Sequence, residues 1–151
     1  MRPNFMKLFL LVMLLNTSNL LGQGITTESD AKKYLSSNTE KDLIEGFYSV
    51  VSSAKNNNYT ARNATHSYRV LILKDPSKSD FYKLFQIDEI SGKLTEYLSV
   101  IKKISDKKYM QINSDKSTLI FSFLGDSFNL SFSSNEGALG NTYFDQNYEK
   151  L

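Results

Sequence analysis

From residue 66 to the C-terminus the chain is a succession of short β-rich runs, each closed by turn chemistry. No link between them is long enough to hold a crossover helix. The runs cover 66–74, 81–87, 95–101, 108–113, 118–124, 127–133 and 141–148. Between them lie Asp75-Pro76-Ser77-Lys78-Ser79, the bend at 88–92, Ile104-Ser105-Asp106, Asn113-Ser114-Asp115-Lys116, Gly125-Asp126 and the loop 137–141. A parallel α/β sheet is excluded, because parallel strands need crossovers of a dozen or more residues. Short links predict an antiparallel up-and-down meander. Seven strands, or eight with a run at 46–53, are enough to close a small barrel and remove exposed edges.

The segment before this meander is more polar. Thr27-Glu28-Ser29-Asp30 has the spacing of a capping box, followed by Ala31, Tyr34 and Leu35 at helical intervals. A short helix over 28–37 is expected. Thr39-Glu40-Lys41-Asp42 repeats the start signal. The next stretch fits two readings. Leu43, Ile44, Phe47, Val51 and Ala54 recur at helical spacing, while Gly46-Phe47-Tyr48-Ser49-Val50-Val51 reads as a strand. Strand is favoured. A helix over 40–54 would instead give an α+β fold, a helix packed on a curved antiparallel sheet.

The N-terminus carries an address. Arg2 and Lys7 precede an apolar run at 8–15, a polar stretch begins at Asn16, and small residues follow at Gly22 and Gly24. That order is the order of a secretory signal peptide. The apolar run falls far short of the roughly 20 residues of a membrane-spanning helix. The expectation is a signal over 1–24 and a single domain over 25–151, secreted or periplasmic, with no transmembrane segment after cleavage. Cysteine is absent. Disulfides are therefore excluded, and packing alone must hold the core. Removing Arg2 and Lys7 takes the formal charge from +2 to 0. A neutral domain lacks the cationic surplus that nucleic-acid binding needs.

Nothing in the chain marks catalysis. His66 is the only histidine, so a His/Cys zinc site has no ligand set. Gly125-Asp126-Ser127 reads as a hairpin turn. Asp88 and Glu89 are adjacent, not placed as a facing carboxylate pair. Lys102-Lys103 and Lys107-Lys108 flank a turn and read as a solvated hairpin that keeps a sheet edge soluble. No enzyme, metal or cofactor is expected. The ten Phe and nine Tyr supply either a filled core or the lining of a cavity for an apolar ligand. Alternation along the strands nominates Phe85, Leu98, Phe121, Phe128 and Leu130 as inward, ligand-contacting residues.

At Ile44-Glu45-Gly46-Phe47-Tyr48 the chain resembles the opening strand of lipocalin-like domains, with Tyr48 where that family carries Trp. Tyr68-Arg69-Val70-Leu71-Ile72, Phe81-Tyr82-Lys83-Leu84, Leu94-Thr95-Glu96-Tyr97 and Lys108-Tyr109-Met110 follow in a similar order. The resemblance is to small secreted bacterial members and spans about residues 44–148. It implies a barrel that binds small hydrophobic molecules and supplies no catalytic residues. The alternative is a cell-envelope interaction or structural module, with Tyr97 or Tyr109 on an outward face.

Overall fold

The computed structural model describes residues 24–59, 63–135 and 140–151. The signal-peptide expectation lies outside the described residues, apart from Gly24. Helix α1 (Glu28–Ser37) is followed by eight strands: β1 (Gly46–Asn56), β2 (Ala64–Lys74), β3 (Phe81–Ile87), β4 (Leu94–Ser105), β5 (Lys108–Ile112), β6 (Thr118–Ser122), β7 (Ser127–Asn135) and β8 (Asn141–Lys150). All ladders are antiparallel, and the order is β6-β5-β4-β3-β2-β1-β8-β7. Among the described residues the fold is mainly β, a nearly closed eight-stranded barrel with one short helix. Residues 46–56 form a strand, so the helix-on-sheet alternative is set aside. Thr39-Glu40-Lys41-Asp42 starts no helix.

Closure comes from β1 pairing with β8, in register from Tyr48↔Lys150 to Asn56↔Thr142. The opening left in the barrel is between β6 and β7. These strands form no ladder, and a single bridge, Leu124↔Ser127, joins the chain between them. Gly125 takes φ +63° in that tight link, a left-handed conformation that glycine adopts without a Cβ penalty.

The start of α1 follows its sequence signal. The Thr27 hydroxyl accepts from the Asp30 backbone N–H, and the Asp30 carboxylate accepts from the Thr27 N–H at 3.2 Å. The helix lies on the outside of the barrel. Its Ala31 and Leu35 bury against Leu71, Leu73 and Ile87, on the outer faces of β2 and β3. Burying each large aliphatic side chain contributes about 1.5–3 kcal/mol. At the helix start, Glu28 takes both guanidinium nitrogens of Arg69, at 2.9 and 3.1 Å. Hydrogen bonds from Arg69 and Lys32 hold the Glu28 carboxyl below its ordinary range.

That outer helix corrects one expectation. Phe85 does not face the barrel interior; it packs outside with Ile87, Leu94 and the helix. Strand β3 carries apolar residues on both faces because both are covered, and its inward apolar residues are Tyr82 and Leu84. Leu98 is also corrected: it is 85% exposed on the outer surface. Its neighbours Tyr97 and Ile101 take the inner face, beside the register shift opposite Lys83 and Phe85. Tyr97 and Tyr109, expected outside, both pack with the interior cluster.

Candidate functional site

The inner face of the barrel divides into two halves along its axis. The lower half, where β1 begins and β8 ends, is filled. Tyr48, Tyr82, Tyr109, Phe121, Phe123, Phe128 and Tyr148 are all buried there. Ring contacts run from strand to strand. Tyr109 stacks on Phe121 at 5.7 Å, Phe121 on Phe128 at 4.4 Å, and Phe128 on Tyr148 at 4.3 Å. Tyr48 meets Phe123, Phe128 and Tyr148 edge-on and donates its hydroxyl to the Ile44 carbonyl at 2.7 Å.

The segment between α1 and β1 engages the lower end. The Asp42 carboxylate receives Lys103 Nζ at 2.9 Å, Lys74 Nζ at 3.1 Å and the Tyr82 hydroxyl at 2.9 Å. Burial alone would raise its pKa; these hydrogen bonds outweigh it and hold the group at about 2. Glu45, 1% exposed, accepts the backbone N–H of Asp42 at 2.8 Å and of Lys74 at 2.9 Å. Lys103 is therefore more than a solvated hairpin charge: it is half-buried and anchors this closure. Sequence reading missed the Asp42 cluster because its partners lie 32, 40 and 61 positions away.

The upper half differs. Register puts Ser52, Tyr68, Gln86, Tyr97, Gln111 and Gln146 on the same inner face as the aromatic layer. Of these, Gln86 is exposed and the others are half-buried. Tyr97 donates to Gln86 Oε1 at 3.3 Å, Gln146 Nε2 to the Tyr68 hydroxyl at 3.4 Å, and the Tyr148 hydroxyl to Gln146 Oε1 at 3.2 Å. Gln111 donates to Asn113 Oδ1 at 2.8 Å, while its own Oε1 is buried with no hydrogen-bond partner among the described residues. Burial raises the pKa of Tyr97 to about 12 and pushes Tyr68 and Tyr148 upward as well. Their hydroxyls stay protonated, and those of Tyr97 and Tyr148 are spent on Gln86 and Gln146. Phe132 and Phe144 stack at 4.9 Å towards the upper rim.

Of the five residues nominated by alternation, Phe121, Phe128 and Leu130 come together in the interior, in the packed layer. Phe85 and Leu98 do not join them. The polar residues of the upper half went unnominated. Their signal was present: glutamine at inward register positions, Gln86 two after Leu84 and Gln146 two before Tyr148.

A groove of about 620 Å³ lies over the β6–β7 opening, lined by Ile120, Phe121, Leu124, Phe128, Tyr148 and Glu149 among others. Among the described residues no group of three or more His, Cys, Asp or Glu is placed to hold a metal ion. No helix among them is long and apolar enough to cross a membrane. No protein-family model matches the chain, and comparison with curated proteins and with solved structures finds no match.

Proposed function

We propose that this protein is an exported, non-enzymatic binding protein that holds a small hydrophobic or amphipathic ligand in the upper half of its barrel, as a lipocalin-like domain would. The observation that carries this reading is the divided interior. The lower half is packed with rings. The upper half presents half-buried Tyr68, Tyr97 and Gln146 above them. Small barrels either fill with side chains or hold one ligand; this one does the first only part-way. Apolar parts of a ligand would lose water against Leu119, Leu130 and the rings, and the tyrosine hydroxyls and glutamine amides would orient its polar groups. The N-terminal charged, apolar and small-residue order supports export.

Native mass spectrometry of the protein purified from cells that make it tests this. An added mass that disappears on organic extraction, and that a Ser52→Phe variant lacks, is the expected result. A bare polypeptide mass in the parent protein overturns the reading.

A second reading, a cell-envelope interaction module, has one observation of its own. On the outer face of β4–β6, Val100 stands opposite Ile112 and Met110 opposite Ile120. Leu98 and Ile120 are exposed on the same face. Such an apolar strip is a feature of interaction surfaces. A bare mass moves the functional reading to this strip.

A further inference from the structure

We infer that the barrel selects an uncharged amphiphile, one whose head carries hydroxyl or amide groups, over a carboxylate or ammonium amphiphile of the same chain length. This rests on the binding role proposed above and specifies the chemistry of its ligand.

The distribution of charge inside the barrel carries the inference. Inward strand positions above the aromatic layer are hydroxyl, amide or apolar residues: Ser52, Tyr68, Tyr97 and Ser99; Gln86, Gln111 and Gln146; Leu119, Phe132 and Phe144. Among the described residues, no Lys, Arg, Asp or Glu occupies an inward strand position there. The charged residues of the same strands fall on the alternate, outward positions, among them Lys55, Arg69, Glu96, Asp145 and Glu149. Among the described strand residues, the inward Lys, Arg, Asp and Glu side chains are at the lower end and are already engaged. Lys74 and Lys103 pair with Asp42, and Lys150 Nζ donates to the Leu43 carbonyl at 2.7 Å. His66, opposite Ser52 at the rim, is exposed.

A carboxylate head seated among these positions would give up its hydration with no inward cation among the described strand residues to meet it, and an ammonium head would find no inward anion there. A neutral polar head meets both halves of its hydrogen-bonding need. Glutamine amides offer donors and acceptors, and the tyrosine hydroxyls keep acceptor lone pairs and can turn their single protons from Gln86 and Gln146 to a ligand. Gln111 adds an independent sign. Its amide orientation is fixed by donation to Asn113, which leaves Oε1 as a buried acceptor lacking a donor among the described residues. A buried acceptor without a donor is uncommon in native proteins, and a ligand hydroxyl or N–H is a partner that would satisfy it.

The test is titration of the full chain with 1-monodecanoylglycerol, decanoate and decyltrimethylammonium, each below its micelle concentration, followed by isothermal calorimetry. The expected result is a Kd for the glyceride at least about ten-fold below that of either ion. Gln111→Leu and Gln146→Leu, with thermal unfolding by circular dichroism to confirm that each variant folds, are expected to weaken glyceride binding about five-fold or more while leaving decanoate binding unchanged. Decanoate or the ammonium compound binding as tightly as the glyceride overturns the inference and leaves the binding role standing. Failure of all three also overturns it, and the native mass of the purified protein then decides separately whether the barrel carries any ligand.

Discussion

The rings of Phe121 and Phe128 stack at 4.4 Å and 22° across the gap between β6 and β7, where no ladder joins the strands. Phe121 is inward on β6, opposite Tyr109, and Phe128 is inward on β7, opposite Tyr148. Each is thus tied through its ladder to one side of the gap. Side-chain packing does there what backbone hydrogen bonds do elsewhere around the barrel. Truncation of Phe121 to Ala is expected to cost about 3–5 kcal/mol, read from urea unfolding. A cycle with Phe128→Ala is expected to show a coupling of about 0.5–1.5 kcal/mol. Additive losses from the two variants would show that the rings do not act as a unit.

Tyr109 is wholly buried beside that stack, and its hydroxyl has no hydrogen-bond partner among the described residues. A buried unsatisfied hydroxyl costs about 1–3 kcal/mol. Tyr109→Phe removes it and keeps the ring contacts with Tyr82 and Phe121. The variant is expected to be more stable by about 1 kcal/mol, with a raised urea midpoint and an unchanged slope. A drop in midpoint would mean that the hydroxyl is satisfied in solution.

The Asp42 carboxyl, held at about 2 against an ordinary 3.8, links stability to pH. A carboxyl whose folded pKa is depressed stabilises the fold above its unfolded pKa, and the contribution is lost as pH falls from about 4 to about 2. With solvent screening at this partly exposed site the effect is about 1–2 kcal/mol. Asp42→Asn is expected to lower stability at pH 6 and to flatten the decline between pH 4 and 2, as measured by urea midpoints. Parallel pH curves for parent and variant would remove Asp42 from the account.

Gly46 opens β1 at φ +151°, and a Cβ there would sit 2.7 Å from Lys150 Cε. Lys150 is not free to swing away without loss, since its ammonium donates to the Leu43 carbonyl and lies over the Phe123 ring. Gly46→Ala is expected to destabilise by about 1–3 kcal/mol. Adding Lys150→Ala should recover the steric part and leave the backbone part, a distinction that thermal unfolding of the two variants can make.

The sequence by itself determined the elements. The capping box at Thr27 starts the helix at Glu28, and β3 spans the predicted residues 81–87. The Gly125-Asp126 signal places the turn before β7. These features are legible because capping, turn formation and alternation act between residues a few positions apart. The short links also limited the sheet to an antiparallel meander.

Only the tertiary structure decided which face of a strand looks inward. Alternation divides β3 into two faces but cannot rank them when both are apolar, and α1 lying over the outer face is what turns Phe85 outward. On β4 it is Tyr97 and Ile101, not Leu98, that join the interior cluster, a choice between two apolar faces that alternation alone does not make. The Asp42 cluster and the split of the interior into a ring-filled lower half and a polar upper half are likewise tertiary. They depend on which of eight strands are neighbours, a relation set by barrel closure through β1 and β8 rather than by anything local to the residues involved.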